Sequence, residues 1–367
     1  MSKLWLSSIG VFALPTYFTM SVTFQDGTNT SLTKRTLQNR TNLDAVCALN
    51  DLVRKICNET PTNDFIEQQI KAINSLHPIM PLVFLGYGLG AGGYAIFFGG
   101  GLHEGIIAGI IGFLMYFFVW INEILGINSL MRTTLTSMFL TILAILFYHF
   151  HLIYNLDATI IGCLMILTPG IAITNSLRDI IDGNYVSGQA RLVEAFFYCN
   201  SNCFRSWIDA YFIERIDLME QVIQCLSAFL GCLGFAFVFR VHRHLPYAFL
   251  ASLGGMLGWI VYLLVIPYLS NIMSNLCAMI VVALFSEIMA RICKAPATIF
   301  IVVGCFPIVP GKGIYQTMLY LISHDQDLFL DSLFQTVGTA LALATAILIV
   351  STFFKVIKTI KQKDYHL

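Results

Sequence analysis

From Ile79 onward the chain is a nearly unbroken series of apolar runs, each about 20 residues long, the length that crosses a hydrocarbon core about 30 Å thick. They are read as membrane-spanning helices near 79–98, 105–125, 133–150 and 158–177, then 219–239, 245–265, 272–292, 296–320 and 329–354. Composition agrees, with 57% hydrophobic and 11% charged residues against roughly 25% charged in an ordinary soluble domain. A soluble globular enzyme is excluded. The 21 basic and 21 acidic residues cancel, so no net field favours nucleic acid. Most of the ten cysteines lie inside apolar runs, as Cys163, Cys232 and Cys277 do, and no CxxC pair occurs. They read as small packing residues rather than a disulfide framework.

Residues 1–78 differ in kind, with charges at ordinary density. They are expected to form a small cytoplasmic α+β domain. Val11 to Phe24 is strand-like, Asp26-Gly27-Thr28-Asn29 offers a turn, and Ser31 to Gln38 reads as a returning strand. Asn42 is placed to cap a helix whose Leu43, Val46, Leu49, Val53 and Ile56 share a face. Thr62 begins a second helix with Phe65, Ile66, Ile70 and Ile73. A competing reading makes Lys3 and Leu4 to Leu14 a secretory signal, but Pro15 follows and no small-x-small cleavage site does.

Charge asymmetry sets the expected topology. With the N-terminal domain in the cytoplasm, the basic loops at Arg132, Arg178 to Arg191, Arg240 to His244, Arg291 to Lys294 and Lys355 to Lys363 should also be cytoplasmic. The loops near 99–104, 151–157, 267–271 and 323–328 lack Lys and Arg and fall outside. This pattern requires one crossing between Arg191 and Met219. The expectation is therefore ten spans in a bacterial plasma membrane with both termini cytoplasmic. The fifth span would lie in 188–217, although that stretch carries Glu194, Asn200, Asn202, Arg205 and Asp209, each costly in lipid.

An internal repeat supports the count. Gly93-Tyr94-Ala95-Ile96-Phe97-Phe98 resembles Gly234-Phe235-Ala236-Phe237-Val238-Phe239, His103 matches His244, and Leu167-Thr168-Pro169-Gly170 matches Ile308-Val309-Pro310-Gly311, all at one offset. Two halves of five spans each, 79–217 and 218–367, must then lie in opposite orientations, the inverted-repeat architecture of many secondary transporters. Pro followed by Gly inside an apolar span removes a donor and permits unwinding. The half-helix that follows offers its positive end to a carboxylate. A lone pair of this kind reads first as a packing kink, and its symmetric recurrence favours a substrate site.

The candidate site residues follow from the two breaks, Pro169-Gly170 and Pro310-Gly311. Thr174, Asn175, Tyr315 and Gln316 can hydrogen-bond a small polar solute. Asp179 can bind an ammonium group or carry a proton, with Arg178 as its tether or as a carboxylate clamp. The alternative makes Arg178 and Asp179 a solvated helix end. Glu287, one turn before Arg291, reads more simply as a paired structural charge than as a proton carrier. His103-Glu104 and His242-Arg243-His244 read as interfacial anchors, and without a third converging ligand no metal site is expected. Gly88 with Gly92, Gly105 with Gly109 and Gly254 with Gly258 read as close helix packing. No P-loop is present, and no cofactor is expected.

Leu167-Thr168-Pro169-Gly170, continuing through Asn175, Arg178-Asp179 and Gly183 to Ser187-Gly188 and Arg191, closely resembles the first module of the threonine/serine exporter family. Glu287, Arg291, Pro296-Ala297-Thr298, Pro307 to Gly311 and Tyr315 resemble its second module. The resemblance implies efflux of small amino acids driven by an ion gradient, with protons as the expected ion, while some relatives export dicarboxylates such as succinate. It also marks two departures. The family begins with an amphipathic helix before the segment matching Ile9 to Thr23, and its fifth span is apolar. Read one nucleotide later, 198–211 can encode apolar text, so a displaced frame from about 197 to about 215 is hypothesised, testable in the DNA. An intramembrane hydrolase would need a nucleophile and base, and no GxSxG or HExxH is present. A receptor or scaffold would carry no flux. Partners other than solute, protons and lipid are not indicated, and homo-oligomerisation is left open.

Overall fold

The computed structural model describes residues 6–14, 17–35, 42–59, 61–75, 78–168, 170–181, 183–201 and 218–364. Pro169 and most of the expected fifth span, with the greater part of the segment assigned to a displaced frame, lie outside the described residues.

The N-terminal sheet has three antiparallel strands in chain order, β1 (Leu6–Ala13), β2 (Tyr17–Phe24) and β3 (Asn29–Arg35). The single strand expected over Val11 to Phe24 is thus corrected to parts of two. Leu14 N donates to Tyr17 O at 2.8 Å, reversing the chain. Pro15, in between, has no N–H to give a ladder. The second turn falls where expected: Asp26 Oδ1 accepts from Thr28 N at 2.9 Å and from its hydroxyl at 2.6 Å. Two helices follow, α1 (Leu43–Glu59) and α2 (Asn63–Asn74). Asn42 caps the first, accepting from Ala45 N at 3.1 Å.

The rest is helical: α3 (Met80–Phe97), α4 (Leu102–Ile124), α5 (Ser129–His149), α6 (Leu156–Met165), α7 (Gly170–Ile181), α8 (Tyr185–Ser201), α9 (Leu218–Val238), α10 (Leu245–Val265), α11 (Asn271–Ile292), α12 (Ala297–Gly304), α13 (Gly311–Ile322) and α14 (Gln326–Asp364). Among the described residues, 7 helices (α3, α4, α5, α9, α10, α11 and α14) are long and apolar enough to cross a membrane. Side chains such as Ile106, Phe117 and Ile124 on α4 are 65%, 55% and 65% exposed. Such outward apolar faces suit hydrocarbon rather than water.

The spans expected at 158–177 and 296–320 are interrupted where the Pro-Gly pairs predicted breaks: each is two short helices, α6 with α7 and α12 with α13. The halves correspond in backbone as well as text. Gly170–Ile181 and Gly311–Ile322 are both 12 residues long, with the same separation as Gly93 from Gly234. Left-handed residues recur at that spacing, Gly99 (φ 93) with Arg240 (φ 63), and Gly183 (φ 86) with His324 (φ 58).

The centre of the molecule is the crossing of α3 and α9, where backbones touch because no side chain intervenes. A Cβ on Gly93 would stand 2.6 Å from Gly231 N, and one on Gly234 would stand 2.7 Å from Gly90 Cα. Gly90 corresponds to Gly231 as Gly93 does to Gly234, so each contact is the repeat image of the other. The small-residue pairs also pack as expected. Gly92 lies on Gly105 O between α3 and α4, and Gly258 lies against Val282 and Ile308.

Candidate functional site

The two breaks meet. A Cβ on Gly311 would fall on Met165 Sδ, with Met165 Cε at 3.1 Å and Thr168 Oγ1 at 3.4 Å. Pro310 is the N-cap of α13, so the first-turn N–H groups of that half-helix begin at the junction. Thr168 turns its hydroxyl inward to Met165 O at 2.9 Å. Side chains interlock as well. Met165 is buried with Phe235, Phe300 and Phe306 of the second half, whereas Tyr315 from α13 is buried with Ala91, Ala95, Cys163 and Leu164 of the first. Lys312, beside Gly311, feels the charge of Asp157 at the far end of α6. The sequence reading gave Lys312 no role.

After the first break, Thr174 and Ser176 are buried on α7 while Asn175 is half-buried. Asp179, for which Arg178 was expected as tether or as a carboxylate clamp, reaches across to α8: Ser187 Oγ donates to its Oδ2 at 3.3 Å, and Arg191 Nη1 lies 3.5 Å from the same oxygen. Gly188 makes this approach possible, since a Cβ there would stand 2.7 Å from Ser176 O and 3.0 Å from Ile180 N. Gly183, at φ 86, turns the chain between the helices. Arg178 is half-buried on the same helix. The residues that carried the family resemblance thus form one clasp, and its partners Ser187 and Arg191 were quoted in the sequence without a role.

The second half stitches its equivalent helices with hydroxyls. Thr317 Oγ1 on α13 donates to Gly313 O at 2.8 Å and lies 2.9 Å from Ser332 Oγ and 3.3 Å from Thr336 Oγ1 on α14. No sequence signal marked this knot. Gln316 is half-buried beside it. Glu287 is half-buried on α11, and the pairing expected with Arg291 is replaced: the guanidinium lies 4.5 Å above the Phe354 ring.

Two supposed interfacial anchors are buried. Glu104 is 6% exposed and accepts from Gly101 N at 3.0 Å and Tyr154 N at 3.2 Å. His242 is 5% exposed. Among the described residues, no three His, Cys, Asp or Glu side chains converge as metal ligands. An apolar groove of about 430 Å³ between α9 and α10, lined by Val222, Leu226 and Leu263 among others, includes none of the candidate site residues.

This arrangement, two broken helices interlocked at the junction of two similar halves, can expose backbone groups and a cation to a small solute. Comparison with known proteins gives the same direction. A threonine/serine exporter family model matches residues 2–208, and a second, described as "Threonine/Serine exporter, ThrE", matches residues 224–353. A curated relative named "Threonine/serine exporter" from Corynebacterium glutamicum is 24% identical over 281 residues, 72% of this chain and 56% of that protein. The chain thus spans little more than half the length of that relative. No solved structure matches.

Proposed function

Because the chain belongs to the threonine/serine exporter family, we propose that it carries threonine and serine outward across the plasma membrane as a proton-coupled secondary transporter. The observation that carries this reading is the contact of the Gly311 break with Met165 and Thr168 of the other break. A solute held there touches both halves, so rocking one against the other changes the side from which it is reached. The first-turn N–H groups of α13 and Lys312 would receive the carboxylate, with Asn175 and Gln316 as hydroxyl or ammonium partners and Thr174 and Tyr315 as the buried wall. The reciprocal glycine contacts of α3 and α9 support two related halves; with five spans in each and opposite orientations, both termini would be cytoplasmic. Burial of Gly311 and Tyr315 fits a closed resting state. The dicarboxylate alternative is not favoured: both family models and the curated relative carry threonine and serine in their descriptions.

The test is export from cells loaded with threonine as a dipeptide. Expression of the chain is expected to speed the loss of internal threonine and serine several-fold and leave succinate loss unchanged. Loss at the control rate for both amino acids rejects the reading.

Asp179 is the proposed proton carrier. Its carboxylate retains about a quarter of its exposure, and exchange of Arg191 for a proton would alter how α7 holds α8. Asp179→Asn is expected to retain the Ser187 hydrogen bond and threonine exchange between equal pools, and to lose accumulation driven by a pH gradient. Full accumulation with unchanged pH dependence in purified vesicles would move the proton role to Glu287.

A further inference from the structure

The most unusual buried group lies outside the proposed transport site, where α1 meets the second half. Asp44 is 7% exposed, and its Oδ2 accepts from His242 N at 3.0 Å and Arg243 N at 3.3 Å. Leu43 N donates to Phe239 O at 3.1 Å, and Asn50 Nδ2 donates to Lys294 O at 3.3 Å. Leu43 and Cys47 are buried with Ala290, Ala295 and Phe300. One helix thus ties together the α9–α10 turn and the α11–α12 turn. His242, in the α9–α10 turn, has a buried ring with neither nitrogen hydrogen-bonded to protein. A buried polar group of this kind needs an explanation.

We propose that α1 is a pH-sensitive clasp on the second half, closed while His242 is neutral and released when it is protonated. The charged groups bearing on the ring are Asp44 from α1, which favours the imidazolium, and Arg240 on its own turn, which opposes it. Arg243 and His244 follow in the same turn, His244 stacking on Tyr247 at 4.8 Å, and Lys294 marks the neighbouring turn. Asp44 accepts from two backbone N–H groups of the turn, and neither ring nitrogen of His242 reaches it. Burial dominates and holds His242 below its ordinary value of 6.5. The sign follows: docking is complete above the undocked value near 6.5 and weakens as pH falls below it, by at most about tenfold per pH unit for one proton. Cytoplasmic acidification would then free the two turns that α1 restrains.

Two native thiols on α1 read the clasp. Cys47 is buried in the interface, where burial pushes its thiol up to about 12, and Cys57 is exposed. The full chain in liposomes is labelled with a pyridyl disulfide, which reacts in acid, and the Cys47 to Cys57 labelling ratio is read by mass spectrometry. Between pH 7.5 and 5.5 the ratio is expected to rise measurably, by about tenfold at most, and to stay low and flat in His242→Gln or His242→Phe. A flat wild-type ratio overturns the proposal, as does the same rise in a variant that is docked at pH 7.5. If neither variant docks, the wild-type onset decides: near pH 6.5 supports the clasp, and below pH 5, in the carboxylate range, rejects it. The readout involves no transport, so its outcome is separate from that of the exporter reading.

Discussion

Gly93→Leu and Gly234→Leu are each expected to remove most of the correctly assembled protein from the membrane, measured as monodisperse protein after mild detergent extraction. The neighbour at both positions is backbone. A Cβ on Gly234 would meet Gly90 Cα at 2.7 Å and Gly86 O at 2.8 Å, and one on Gly93 would meet Gly231 N at 2.6 Å. Backbone cannot rotate away, so α3 and α9 must separate along their whole crossing. Overfilling a packed interior costs roughly 1–3 kcal/mol even when side chains yield, and here they cannot. In lipid the loss is larger in consequence, because close packing rather than a hydrophobic drive holds the helices together. Equivalent losses are expected from the two variants, since the contacts are repeat images. Wild-type yield from either would mean that the halves do not meet through these glycines.

Gly311→Leu is expected to do the opposite, leaving membrane protein near the wild-type amount while threonine transport falls to background. The atom a Cβ meets first is Met165 Sδ, near the end of a flexible thioether, and Thr168 Oγ1 at 3.4 Å is in ordinary contact. Met165 can rotate, so the fold survives. A leucine side chain then fills the space where the two breaks touch and covers the first turn of α13. Gly311→Ala is expected to be intermediate. Normal flux in Gly311→Leu, at equal protein level, would reduce the breaks to packing kinks.

Why some of this was legible in the sequence and some was not follows from the range over which each interaction acts. The long helices were legible because crossing lipid demands a local, countable length of apolar text. The breaks at Gly170 and Gly311 were legible because Pro-Gly is a local backbone signal. That the breaks touch is a tertiary fact carried by Met165 and Tyr315, which look like any other core residues. The Asp179 clasp was half legible: the carboxylate stood out, but its partner Arg191 lies beyond the Gly183 turn, and the adjacent Arg178 looked the better candidate. The Thr317–Ser332–Thr336 knot left no trace, since hydroxyls in an apolar helix ordinarily bond to their own preceding turn. His242 misled because its place beside Arg243 and His244 at a span end suggested an interfacial anchor, whereas it is buried where Asp44 of α1 binds its backbone N–H. The β1–β2 reversal was missed because the strand-like residues on either side of Pro15 outweighed that single turn signal.

Flux of labelled substrate in liposomes holding only the purified chain tests the exporter reading most directly. With the interior loaded with unlabelled threonine, labelled threonine and serine are expected to enter by exchange, and succinate is not. Gly311→Leu serves as the blank. A pH gradient is expected to drive threonine above equilibrium in the wild-type chain and not in Asp179→Asn. Threonine entry no faster than the Gly311→Leu blank, or succinate entry in its place, would contradict transport of small amino acids through the joined breaks.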